Sequence, residues 1–184
     1  MRLTILFTLL TIVAVSGCAS SGASSSAGTS IETTRVSGAT GTTTLTSVTS
    51  LQPGFTTLEF PIDVVWRALP VAYDSIGIPV GKVDTLSHVV GNPGFKLRRR
   101  LGGVALTRYL DCGQAQGFRS AETYEINLAV LTQLQPSGTG TTTAATTVQA
   151  SARPVNFAGE YAACSSTGEL EKRVGETLAA ILRR

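Results

Sequence analysis

Tyr124-Glu125-Ile126-Asn127-Leu128-Ala129-Val130-Leu131-Thr132-Gln133-Leu134 is the stretch on which the fold turns. Tyr124, Ile126, Leu128, Val130, Thr132 and Leu134 take every second position, with Glu125, Asn127, Ala129, Leu131 and Gln133 between them. Side chains alternate across a strand, so this period of two predicts a strand half buried on a core. Pro136-Ser137-Gly138-Thr139-Gly140 then reads as a turn. Thr141 to Ala152 is β-branched and small, with Val148, Ala150 and Ala152 in phase. It is predicted to pair antiparallel with the first strand and to keep a wet, threonine-rich outer face.

A helix is predicted on either side of this hairpin. Upstream, Ile62, Val65, Trp66, Leu69, Ala72, Tyr73 and Ile76 recur at helical spacing after Phe60-Pro61, and proline is tolerated in a first turn. The helix should run over 62–76, bend near Pro70, stop at Gly77 and be kept from resuming by Pro79. Trp66 reads as a core anchor. Downstream, Leu170, Val174, Leu178, Ile181 and Leu182 form one apolar stripe, with Glu171, Lys172, Arg173 and Glu176 largely off it. Ser166 and Glu169 have capping-box spacing, and Arg183 and Arg184 suit the C-terminal end of the helix dipole.

Between the first helix and the hairpin, Ile78 to Asp84 and Leu86 to Val90 read as short strands. Gly91-Asn92-Pro93-Gly94 reads as a turn, and Phe95 to Arg99 as a returning strand, with Val89 and Val90 facing Phe95 and Leu97. Val104 to Leu110 reads as a short helical turn ending at Asp111-Cys112-Gly113. Helix, short strands, long hairpin, helix is the order of an α+β fold. The expectation is an antiparallel β-sheet with two helices packed on one face, in a single domain over 58–184, after a flexible N-terminal tether.

Composition narrows the class. The chain has 184 residues, 42% hydrophobic and 15% charged, and the charged share lies well under the usual quarter. Serine, threonine and glycine fill the difference and favour strands, turns and linkers. The net charge of +3 is too weak for nucleic acid, which needs a concentrated basic footprint.

At the N-terminus, Met1 and Arg2 precede an apolar run from Leu3 to Val15, broken only by Thr4, Thr8 and Thr11. That run of about 13 residues is short of the roughly 20 needed to span a bilayer and has the size of a signal peptide. Val15-Ser16-Gly17-Cys18 resembles the bacterial lipobox: an aliphatic residue, two small residues and a cysteine. The resemblance implies a signal peptide over 1–17, cleavage before Cys18, and lipidation of Cys18 by diacylglycerol and palmitate-type acyl chains. Two or more chains would hold the protein stably on a membrane, at about 0.8 kcal/mol per buried CH₂. Residue 19 is alanine rather than aspartate, which by the same resemblance favours the outer membrane of a Gram-negative cell. The alternative is an ordinary secretory signal with an incidental cysteine.

The lipidated cysteine and the serine, glycine and alanine run cover 18–30. This stretch should be a flexible tether about 20 Å long on average. Residues 31–57, rich in threonine, read as an edge strand or more linker. Cys112 and Cys164 remain after lipidation, and an exported chain would keep them as a disulfide. Closing a loop of about 50 residues contributes roughly 4 kcal/mol in the chain-entropy picture.

Catalytic motifs are scarce. The chain has no GxSxG, Walker loop or HExxH, and Gly138-Thr139-Gly140 reads as a turn. His88 is the lone histidine and reads as an ordinary surface or core residue. Asp63, Asp74, Asp84 and Asp111 are scattered. No catalytic residue, cofactor or metal site is implied. The one concentrated feature is Lys96, Arg98, Arg99 and Arg100. On a strand Lys96, Arg98 and Arg100 would share a face and could meet an anionic lipid surface or an acidic partner. The plainer reading is a solvated edge strand that uses charge to prevent edge-to-edge pairing. The functional expectation is a non-enzymatic, membrane-anchored interaction or accessory module that meets other envelope proteins. The alternative is a binder of a small apolar ligand or lipid, held between the helices and the sheet.

Overall fold

The computed structural model describes residues 29–38, 41–50, 52–155 and 160–184, with backbone alone in the first two ranges. Cys18, the signal segment and most of the expected tether therefore lie outside the described residues. In chain order the elements begin with β1 (Thr29–Gly38), β2 (Gly41–Ser50), β3 (Gly54–Leu58) and α1 (Ile62–Ile76). β4 (Lys82–Asp84), β5 (Val89–Leu97), β6 (Arg100–Leu101) and β7 (Val104–Ala105) follow. A 3₁₀ turn at Leu106–Arg108 leads to β8 (Leu110–Asp111), β9 (Gln114–Ala115), β10 (Phe118–Arg119) and α2 (Ser120–Thr123). The chain ends with β11 (Glu125–Gly138), β12 (Thr141–Arg153), β13 (Ala162–Ser166) and α3 (Glu169–Leu182). The fold is α+β and mostly antiparallel sheet.

The alternating stretch builds the centre of that sheet. β11 pairs with β12 from Glu125↔Arg153 to Gly138↔Thr141. Ile126, Leu128, Val130, Thr132 and Leu134 are buried, as are Ala144, Val148 and Ala152 opposite them. The turn is shorter than the sequence suggests. Pro136 still pairs with Thr142, Ser137 is skipped as an irregularity, and only Thr139 and Gly140 turn the chain. Gly140 supplies the positive φ, 74°, that so short a loop favours. Threonines also lie inside. Thr142 and Thr146 are buried on the core face, while Thr141, Thr143 and Thr147 on the opposite face are half exposed.

The strand order is β4-β5-β11-β12-β13-β8, with β3 also paired to β12. The stretch 31–57 thus contributes β3 to the main sheet, from Gly54↔Thr146 to Leu58↔Thr142. The same stretch holds most of the paired strands β1 and β2, which begin at Thr29 inside the expected tether.

The region before β11 corrects the sequence reading. Gly91-Asn92-Pro93-Gly94 is not a turn; it lies inside the single strand β5, so Val89 and Val90 do not face Phe95 and Leu97 across a hairpin. Asn92 pairs with Val130 and Phe95 with Leu128, so Pro93 and Gly94 form a bulge against Ala129. A bulge is where a strand accepts a proline that has no N–H to give. Gly91 serves close approach: a Cβ there would strike the Val130 carbonyl. The Asn92 side chain donates to the Pro79 carbonyl (2.8 Å) and accepts the Gly94 N–H (2.9 Å), which pins the bulge. The turn falls earlier, at Thr85–His88, where the Asp84 carboxylate accepts the N–H groups of Leu86 and Ser87, both at 3.1 Å. Ile78 to Gly81 is irregular rather than strand. The expected helical turn over 104–110 shrinks to the 3₁₀ turn between two short strands.

α1 has the expected bounds. Pro61 stands at its N-cap, and Gly77 closes it at φ 84° with its N–H on the Asp74 carbonyl. Pro70 stays inside, removing the N–H that would have met the Trp66 carbonyl. Val65, Leu69, Ala72, Tyr73 and Ile76 are fully buried. Trp66 is half buried and meets the His88 ring edge-on at 5.5 Å. α1 packs against α3 and reaches β5, β11 and β12, while α3 lies against β3 and β12.

α3 starts differently from its sequence signature. Ser166 belongs to β13, Gly168 is the N-cap at φ 82°, and no side chain caps the helix. β13 pairs with β8 through Ser166↔Leu110, so strand pairing takes the serine that the capping box required. Ser166 Oγ accepts the Gly168 N–H instead, at 3.2 Å.

Candidate binding cleft

Glu171, Gly175, Ala179 and Arg183 follow one another at intervals of four, which on a helix makes a single ridge. That ridge faces β3. A Cβ on Gly175 would collide with Thr56 Oγ1, and one on Gly54 would lie 2.5 Å from the Glu171 Cβ. Two glycines therefore let strand and helix approach closely. Beside the contact lies a cleft of about 570 Å³, lined by Gly54–Phe60 and by Gly168, Glu171, Lys172, Gly175, Glu176, Ala179 and Arg183. Its size is that of a small-molecule site. Phe55 stands 70% exposed beside it.

Glu171 sets the chemistry of the cleft. It is only 3% exposed, although helical periodicity had set it off the apolar stripe. One carboxylate oxygen, Oε1, accepts the Ser166 hydroxyl at 2.7 Å. The other, Oε2, is buried without a hydrogen-bond partner. Burial pushes the carboxyl above its ordinary range, and the Ser166 bond opposes this. The neighbouring cation is occupied, since Lys172 Nζ lies 3.9 Å from Glu176 Oε1. The other buried side-chain polar atom without a partner among the described residues is Ser120 Oγ.

A second polar cluster sits on the far face of the sheet. Tyr161 donates its hydroxyl proton to Glu125 Oε1 at 2.6 Å; Lys96 Nζ and Arg153 Nη2 each lie 3.3 Å from the same oxygen. The Arg153 guanidinium also covers the Tyr161 ring at 4.6 Å. The Tyr161 bond, followed by Lys96, holds the Glu125 carboxyl below its usual range, and Glu125 raises Lys96 in return.

These contacts redistribute the basic run. Lys96 is tied to Glu125, and Arg100 Nη1 donates to the Gly103 carbonyl at 2.8 Å. β5 ends at Leu97 and Arg99 takes a left-handed φ of 64°. The unbroken strand that would align Lys96, Arg98 and Arg100 is therefore interrupted. Cys112 and Cys164 are bonded, sulfur to sulfur at 2.07 Å. Asp84 and Asp111 tie turns, the latter by accepting the Gly113 N–H at 3.0 Å.

Among the described residues no group of three histidine, cysteine, aspartate or glutamate side chains is arranged to hold a metal. Among the same residues no helix is long and apolar enough to cross a membrane. Any ligand was expected between the helices and the sheet; Glu171 was missed, because periodicity alone gave that residue to solvent. The available signal was its i+4 and i+8 succession with Gly175 and Ala179, since small residues along a ridge mark the side that another element approaches. No protein-family model, curated protein or solved structure matches the chain.

Proposed function

We propose that this chain is a bacterial lipoprotein, cut before Cys18 and held by lipid on that cysteine, whose domain is a non-enzymatic interaction module of the cell envelope. The observation that carries the reading is the pairing of Cys112 with Cys164. It uses both other cysteines and leaves Cys18, in its Val15-Ser16-Gly17 context, for the acyl groups. A disulfide also suits an oxidising compartment outside the cytosol. In this reading both long helices cover one face of the sheet. The bond from Tyr73 on α1 to Thr132, and the approach of Gly175 on α3 to Thr56, support that arrangement. The other face is left for partners in the envelope, on the outer membrane if the cell is Gram-negative. The test compares the native chain with Cys18→Ser by acyl labelling, membrane fractionation and in-cell crosslinking. Loss of label, membrane association and captured envelope proteins is expected; unchanged labelling and fractionation sinks the reading.

The cleft between β3 and α3 favours a second reading, a lipoprotein that binds a small ligand. The approach that separates the two is mass spectrometry of small molecules that copurify with the full chain.

A further inference from the structure

We propose that the cleft between β3 and α3 takes a small molecule that carries an ammonium group on an apolar body, with the Glu171 carboxylate as its counter-charge. This rests on the ligand-binding reading of the cleft and specifies it.

Three observations converge. First, Glu171 is buried and lines the cleft, yet half of its accepting capacity is unused. Oε1 has the Ser166 hydroxyl and Oε2 has nothing. A buried carboxylate without a partner is costly, and one that meets a charged donor recovers more than a neutral donor returns. Second, no cation of the described residues is seated at Oε2. Lys172 faces Glu176, while Arg183 lies three ridge steps away at the far end of the cleft. Glu59, Glu171 and Glu176 give the lining more negative than positive groups. Third, the rest of the wall mixes apolar and small residues with the hydroxyls of Thr56 and Thr57. Phe60 and Ala179 are partly buried against the core, and Gly54 and Gly175 carry no side chain. Phe55 and Phe60 in that wall offer contact to an aromatic or short aliphatic group.

The groups that face Glu171 from adjoining elements come from β3, β13 and α3. β3 brings Gly54 against the Glu171 Cβ, β13 contributes the Ser166 hydroxyl, and on α3 the next residue, Lys172, is paired with Glu176. None of them brings a free positive charge to Oε2.

The experiment uses the full chain, titrated by calorimetry with benzylamine and, separately, with benzyl alcohol. The two probes match in size and differ in charge. Benzylamine should bind at least tenfold more tightly. Glu171→Gln should reduce that ratio to about one, and Ala179→Phe, which fills the cleft, should weaken both probes. Should Glu171→Gln fail to fold, the ratio in the native chain decides alone. Equal binding of amine and alcohol, weakened by Ala179→Phe, overturns the counter-charge role while the ligand-binding reading stands. An amine preference that survives Glu171→Gln also overturns it. If neither probe binds, the inference and the ligand-binding reading fall together.

Discussion

Tyr73 on α1 and Glu171 on α3 are both polar groups taken out of water, and the molecule treats them oppositely. The Tyr73 hydroxyl meets Thr132 Oγ1 at 2.9 Å, and Thr132 meets Thr146 at 2.8 Å, so a chain of hydroxyls spans helix, β11 and β12. Burial pushes the Tyr73 phenol far above the usual tyrosine range, which keeps it neutral and able to donate. Glu171 has one hydroxyl for two oxygens. A satisfied buried network stiffens a core; a half-satisfied one loses stability unless something completes it. The comparison sets a buried polar group that its neighbours satisfy on α1 against one they leave half satisfied on α3.

The largest effect should come from the close approach on the α3 side. In an open helix Gly175→Ala would stabilise by up to about 1 kcal/mol. Here the new carbon meets Thr56, and the expected result is a loss of about 1–3 kcal/mol in urea unfolding. Adding Thr56→Ala should recover part of it, and a stabilising Gly175→Ala would show that strand and helix do not meet so closely. On the α1 side Tyr73→Phe removes one hydroxyl but leaves Thr132 and Thr146 to one another. A loss of about 1 kcal/mol is expected, from the same unfolding curves at neutral pH. A loss several times larger would mean that the network acts as one unit.

The smallest change sharpens the contrast most. The native carboxyl of Glu171 has a raised pKa, so between the ordinary glutamate value of about 4.3 and that raised value the folded chain holds a proton the unfolded chain has released. Stability from this group is therefore present below the ordinary value and declines as pH rises through the native one. Glu125, whose pKa is lowered, works the other way: its contribution is present above the ordinary value and fades as pH falls. Glu171→Gln should remove the first trend alone. The variant should be more stable than the native chain at pH 8, by about 1 kcal/mol, and the gap should close toward pH 4. A gap that does not vary with pH would detach the effect from the carboxyl charge.

The legibility of these two regions in the sequence differs for the same physical reason. α1 was readable because each of its signals is local: Pro61, a 3.6-residue period and Gly77 lie within one segment. The central hairpin was readable because alternation from Ile126 to Leu134 reports burial directly. β5 was misread because Gly91, Pro93 and Gly94 carry a turn composition, while their roles depend on the Val130 carbonyl and Ala129 across the sheet. Glu171 was misread because its cover is β3, which lies far upstream in the chain. The start of α3 shows the same competition, since Ser166 suits a helix cap locally and a strand pairing with Leu110 globally. The short helix α2 had no periodic signal at all: four residues make barely one turn.

The bond between Cys112 and Cys164 closes a covalent ring, and β11 and β12, the two longest strands of the main sheet, lie on its circumference. A pull between the N-terminal side of the chain and α3 has a covalent route across the sulfurs that bypasses both strands. A single backbone cut within the ring, for example in the Gln116-Gly117 turn between β9 and β10, leaves one connected molecule. These two strands are thus spared from such a load and held within one molecule through such a cut until the sulfur bond itself is reduced.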